Sequence, residues 1–149
     1  MNITVRKARV EDAPEAVETL RRSIIELCIA DHGNSSEALK GWLANKTEPQ
    51  WRDWSARPDV SVFVAELDGA VRGVGLIAHT GEIRLNYVHP QARLRGISRA
   101  LLSAMEDEAR RQGLSRCVLE STQTALRFYR ANGYRPQSDE NEFLLARDL

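Results

Sequence analysis

The sequence is poor in several features that would place it in a class at once. Cysteine is scarce: Cys28 and Cys117 are the only two in 149 residues. Two cannot build a disulfide framework, and they form no C-x-x-C pair, which excludes a zinc ribbon and a thioredoxin-like site. Both sit in apolar runs and read as buried free thiols. Net charge is also absent, since 21 Lys and Arg balance 21 Asp and Glu. That balance argues against a whole-surface grip on nucleic acid. No run of about 18 apolar residues exists to span a membrane, and Met1 to Arg6 carries no signal-peptide stretch. A cytoplasmic protein is the expectation. His32, His79 and His89 are scattered without ligand spacing, so no metal is expected, and His89 is expected to be exposed. There is no repeat, low-complexity tract or linker, and residues 1–149 have the length of one domain, about 100–200.

What is present describes an ordinary globular chain, 42% hydrophobic and 28% charged. Ile3 to Arg9 alternates as a first strand. Asp12, with Glu15 three residues later, reads as a capping box opening a helix that ends before His32-Gly33-Asn34. Two shorter helical stretches follow, from Ser35 and from Thr47. They hold Trp42, Trp51 and Trp54, all three tryptophans within 13 positions. Ser61 to Leu67, Val71 to His79 and Glu82 to Val88 read as antiparallel strands separated by Asp68-Gly69 and Thr80-Gly81, with Gly73 and Gly75 weakening the second. An amphipathic helix runs to about Gln112 and stops at Gly113. Its Glu106, Asp107 and Glu108, with Arg110 and Arg111, read as a charged solvent face. Arg116 to Glu120 is a strand, Ser121 to Asn132 a loop and helix, and Phe143 to Ala146 a last strand. The order predicts a mixed α/β sandwich rather than a Rossmann alternation or a helix bundle.

The segment that suggests chemistry is Tyr87 to Leu102. A strand leads through Pro90 into a loop, Arg93-Leu94-Arg95-Gly96-Ile97-Ser98, and then into a helix. Unpaired first-turn N–H groups and the helix dipole make such a junction an anion site. Gly96 leaves room for backbone to approach a phosphate, Arg93, Arg95 and Arg99 add charge, and Ser98 is placed to cap the helix. A pyrophosphate is the natural guest. Two named phosphate motifs are missing, G-x-x-x-x-G-K-[ST] and G-x-G-x-x-G.

Arg93-x-x-Gly96-x-Ser98 resembles the acetyl-CoA signature of the GNAT superfamily of N-acetyltransferases, Q/R-x-x-G-x-G/A, with Ser98 in place of the usual Gly or Ala. About 30 residues on, Ala125-Leu126-Arg127-Phe128-Tyr129 through Gly133-Tyr134 is similar to the family's second motif, A-x-x-F-Y-x-x-x-G-[FY]. The resemblance covers almost the whole chain. It implies a central mixed, mostly antiparallel sheet of six to seven strands flanked by about four helices, splayed between strands 82–88 and 116–120.

The same resemblance implies that acetyl-CoA is the co-substrate and that no metal takes part. Its ligands would be Asn86, Val88, Arg93, Leu94, Arg95, Gly96, Ile97, Ser98, Arg99, Thr122 and Phe128. Thr122 stands where many members have Asn. An amide N–H between Asn86 and Val88 would bind the thioester carbonyl. Tyr129 would serve as general acid to the departing thiolate. Glu82, 14 residues before Gly96, would serve as the base, where histone-type members carry a glutamate. The acceptor would be a small-molecule or peptide amine, with no nucleic acid and no membrane partner, and a homodimer is open. A CoA-binding sensor without turnover is the alternative of another class. The three tryptophans are open between core packing and the wall of an acceptor pocket.

Overall fold

The computed structural model describes residues 2–149. Strands β1 (Ile3–Lys7), β2 (Val60–Leu67), β3 (Ala70–Ala78) and β4 (Ile83–Val88) form an antiparallel sheet in that spatial order. Strands β5 (Arg116–Glu120), β6 (Arg135–Pro136) and β7 (Leu144–Asp148) form a second, ordered β5-β7-β6. The helices are α1 (Ala13–Leu27), α2 (Ile29–His32), α3 (Ser36–Leu43), α4 (Glu48–Ala56), α5 (Ile97–Arg111) and α6 (Leu126–Ala131). The strand count meets the expectation. The helix count exceeds it, partly because the first helical stretch breaks at Cys28, where the backbone leaves helical geometry.

β2 is buried on both faces, which explains its unbroken Val-Ser-Val-Phe-Val-Ala composition. Val60, Val62 and Val64 pack with α1 and Trp51 on one side. Phe63 and Ala65 pack with Ile97, Leu101 and Met105 of α5 on the other. Each such side chain contributes about 1.5–3 kcal/mol on burial. Gly73 and Gly75 do not weaken β3, because α5 lies directly on them. A Cβ at Gly73 would strike Ile97 Cγ2 and stand 2.9 Å from Leu101 Cδ1. Of the tryptophans, Trp51 is core, and its indole N–H donates to the Arg9 carbonyl at 3.0 Å.

Two local readings are corrected. The Asp12–Glu15 capping box does not form. Asp12 accepts from the Arg9 N–H at 2.8 Å and from Nη1 and Nη2 of Arg6 at 2.9 and 2.8 Å. Glu15 instead accepts from the Val71 N–H at 3.2 Å. A bidentate arginine holds a carboxylate more strongly than one helix N–H does. Glu106 is not on a solvent face: it is 5% exposed. It accepts from the Tyr134 hydroxyl at 2.8 Å and from Arg147 Nη1 of β7 at 2.8 Å.

Candidate active site

The site begins with an irregularity in β4. Its pairing with β3 passes from Leu76↔Leu85 to Ile77↔Ile83, leaving Arg84 as an extra residue. Such a bulge bends the strand that carries it. Before the bulge, β4 and β5 still meet: Glu82 bridges Val118 in parallel, and the Val118 N–H donates to Gly81 O at 2.9 Å. After it the strands part, with no further ladder between them among the described residues. The His89 N–H donates to Arg72 O of β3 at 2.8 Å. The period-two alternation of a strand therefore turns the amides of Val88 and Asn86 the other way, into the gap.

The loop after β4 is held from below. Pro90 to Ala92 forms one 3₁₀ turn, with His89 Nδ1 accepting from the Gln91 N–H at 3.1 Å. His89 is 1% exposed, which corrects the expectation of an exposed ring. The ring sits under α1, with Nε2 3.4 Å from Arg22 Nη1 and 3.8 Å from Glu18 Oε1. Burial depresses its pKa, helped by Arg72 and Arg22. Leu94 takes a left-handed conformation (φ 61°) and is 95% exposed. Gly96, also left-handed (φ 86°), is the N-cap of α5, and open space surrounds its Cα. Ser98 is the second residue of α5 and not its cap. Its carbonyl accepts from Asn86 Nδ2 at 3.3 Å, tying β4 to the helix start. Asn86 Oδ1 is buried and has no hydrogen-bond partner among the described residues.

A cleft of about 510 Å³ runs over this loop into the gap. Asn86, Val88, Arg93, Leu94, Gly96, Ile97, Ser98, Arg99, Thr122, Phe128 and Tyr129 all line it. Arg95 does not. Sequence reasoning missed the opposite wall, Ser23 and Leu27 of α1 and Cys28 just after it, because nothing local marks which helix residues cover a distant loop. Asp31 closes that wall onto the far side, accepting from the Gln123 N–H at 2.6 Å and from the Thr124 hydroxyl at 2.6 Å. At the parting of the strands a notch of about 50 Å³ is lined by residues 83–87 of β4, Leu119 to Thr122, Ala125 and Tyr129.

Tyr129 is buried at the bottom of this arrangement. Its ring meets Phe128 edge-on at 5.1 Å and Tyr134 at 5.7 Å. Burial pushes its hydroxyl well above the usual tyrosine range, opposed by the neighbouring Asn86 side chain. Both cysteines are buried, and burial raises each thiol to about 11, so neither is a thiolate at neutral pH. Glu82 lines neither the cleft nor the notch. Its side chain is 47% exposed and paired with Arg84. The carboxylate that does line the notch is Glu120, whose Oε2 accepts from Asn141 Nδ2 at 3.1 Å. Its signal in the sequence is slight: it ends β5, just before the loop that leads into the second motif.

Residues 30–144 match the family described as acetyltransferase (GNAT) domain. An IAA acetyltransferase from Azospirillum brasilense is 40% identical over 87 residues, 53% of this chain and 57% of that protein. The chain thus spans little more than half the length of that relative. A second protein of the same organism, an uncharacterized N-acetyltransferase in the hisH-hisA intergenic region, is 29% identical over 76% of this chain and 77% of its own. Among solved structures, the PaiA N-acetyltransferase of Thermoplasma acidophilum in complex with coenzyme A superposes with a TM-score of 0.86. It is 23% identical, with 100% of both chains covered, and so shares the fold.

Proposed function

The chain belongs to the GNAT acetyltransferase family, and on that footing we propose that it transfers the acetyl group of acetyl-CoA to an amine by direct attack within a ternary complex. The observation that carries this reading is the gap between β4 and β5, with the amides of Asn86 and Val88 turned into it and Tyr129 beneath. The pyrophosphate fits over residues 93–98, where Leu94 and Gly96 already hold left-handed backbone and Arg93 and Arg99 flank the cleft. The orphaned Asn86 Oδ1 suits an amide N–H of the pantetheine arm. The Val88 or Asn86 amide donates to the thioester oxygen, and that bond strengthens as negative charge grows there.

The amine lone pair attacks the carbonyl carbon, the C–S bond breaks, and Tyr129 donates to the departing sulfur. Its raised pKa keeps the hydroxyl protonated across the working range. The amine must also lose a proton, because an alkylammonium with a pKa near about 10 is not nucleophilic at neutral pH. Glu120 takes that role in this reading, since it lines the notch and Glu82 does not. Glu120→Gln should lower kcat/KM most at neutral pH and recover as pH rises and free amine becomes plentiful. A pH profile altered by Glu82→Gln and untouched by Glu120→Gln returns the role to Glu82.

The whole reading is tested by calorimetry with acetyl-CoA and by thiol release with a panel of amines. Arg93→Ala should weaken acetyl-CoA binding by a charge-assisted contact worth roughly 1.5–3 kcal/mol. Gly96→Val should weaken it further, because a β-branched residue is strained by about 1–3 kcal/mol at positive φ and its side chain enters the space kept for phosphate. Absence of CoA binding by the folded wild type sinks the reading. Tight CoA binding without thiol release from any amine favours a sensor instead.

A further inference from the structure

We propose that the acceptor is a small amine bearing a carboxylate, and that the cavity between α4 and β4 holds this carboxylate on Lys46. The inference rests on the acetyl-transfer reading and names its substrate class. The cavity has a volume of about 270 Å³; among the described residues Lys46, Arg57 and Arg84 line its polar side and no acid does. Two of these cations are already neutralised. Arg57 grips Asp59 with bonds of 2.9 and 2.7 Å, and Arg84 pairs with Glu82.

Lys46 differs. It is 7% exposed, and its ammonium donates to the Trp42 carbonyl at 3.2 Å and to Asn45 Oδ1 at 2.6 Å. Both acceptors are neutral, and no ion pair among the described residues includes Lys46. An ammonium has three N–H donors, so these bonds leave one for a ligand. A buried charge without a counter-charge is costly, and a bound carboxylate supplies what is missing. Burial accordingly lowers the pKa of the free lysine.

Position connects this cavity to the chemistry. It shares Arg84 and Leu85 with the notch, and Asn86 is the next residue along β4. Leu85 lines both spaces and a strand rises about 3.3 Å per residue, so a carboxylate held on the Leu85 side of the cavity would set an amine a few ångströms away near the Asn86 amide. That span is the length of an amino acid, not of a protein side chain on its backbone. Trp54, Leu76 and Leu85 supply an apolar wall, so the fitting acceptor is an amino acid or close analogue with an apolar side chain.

The test uses matched pairs: phenylalanine and phenethylamine, leucine and isoamylamine. With the full-length protein, thiol release should show kcat/KM for the carboxylate-bearing member roughly 10- to 100-fold higher, the range of one charge-assisted contact. In Lys46→Met that ratio should fall to near one while acetyl-CoA affinity holds. Lys46→Gln retains two N–H donors without the charge and should behave the same, which separates charge from hydrogen bonding. A second arm needs no turnover. N-acetylphenylalanine should bind the CoA-saturated wild type at least tenfold more tightly than N-acetylphenethylamine, and Lys46→Met should erase the difference. Equal binding of the two products, or a preference that survives both variants, overturns the proposal. Failure of every amine to release thiol, with the binding difference intact, sinks the transfer reading and leaves the carboxylate site standing.

Discussion

Tyr129→Phe should fold, bind acetyl-CoA nearly as well as the wild type, and turn it over about 10² to 10⁴ times more slowly. The substitution keeps the ring, and the ring is what the core uses: it packs edge-on against Phe128 and Tyr134. Only the hydroxyl is lost, and the hydroxyl is the group that faces Asn86 and the notch where β4 and β5 part. The loss should therefore fall on kcat and leave KM for acetyl-CoA nearly unchanged, the pattern of an interaction made chiefly in the transition state. Steady-state kinetics with calorimetry on the same preparation measures both quantities. A fully active Tyr129→Phe would return the residue to packing alone.

Glu106→Ala should destabilise the fold by about 1–3 kcal/mol, the cost of leaving a buried polar group unsatisfied. For a chain of this length that is a fall in Tm of roughly 2–12 °C. The carboxylate joins α5 to β7 through Arg147 and to the chain after α6 through Tyr134. Removing it leaves the buried Tyr134 hydroxyl without its acceptor, whereas Arg147, on the rim, can turn to water. Glu106→Gln keeps an acceptor for Tyr134 and should cost clearly less. Thermal denaturation of the two variants side by side checks the order, and an Ala variant no less stable than the Gln variant contradicts it.

Every strand but the two-residue β6, Arg135–Pro136, was legible because the signals are local. Val-Phe-Val-Ala runs, Asp68-Gly69 and Thr80-Gly81 turns, and the Gly113 stop all act within a few residues. The segments that line the cleft were legible for the same reason, since the loop, helix start and second motif are each contiguous. What escaped the sequence depends on partners far away in the chain. Glu106 looks like one more charge on a charged helix until β7, 41 residues on, brings Arg147 to it. His89 looks exposed until α1 covers it with Glu18 and Arg22. The first-turn carboxylate of Asp12 looks like a cap until β1 offers Arg6. Lys46 sits in a polar connection between α3 and α4, and nothing nearby says that its ammonium is buried without an acid. The candidate bases divide in the same way. Counting from Gly96 picks out Glu82, one residue before β4, whereas the notch is lined by Glu120, which only the fold brings across from β5.

The parting of β4 from β5 bears on the behaviour of the protein in solution as well as on catalysis. Each strand keeps a margin of backbone N–H and C=O groups without a ladder partner, the condition under which a sheet accepts strands from other chains. These two margins face each other across a wedge pinned at Glu82 and Val118, so an incoming strand must enter a closing angle instead of lying along an open side. In the proposed function, coenzyme fills that wedge. At a ligand concentration a hundredfold above Kd, occupancy adds about 2.7 kcal/mol to apparent stability. The same occupancy would cover the inner margins, so added acetyl-CoA should lower the tendency of the protein to aggregate.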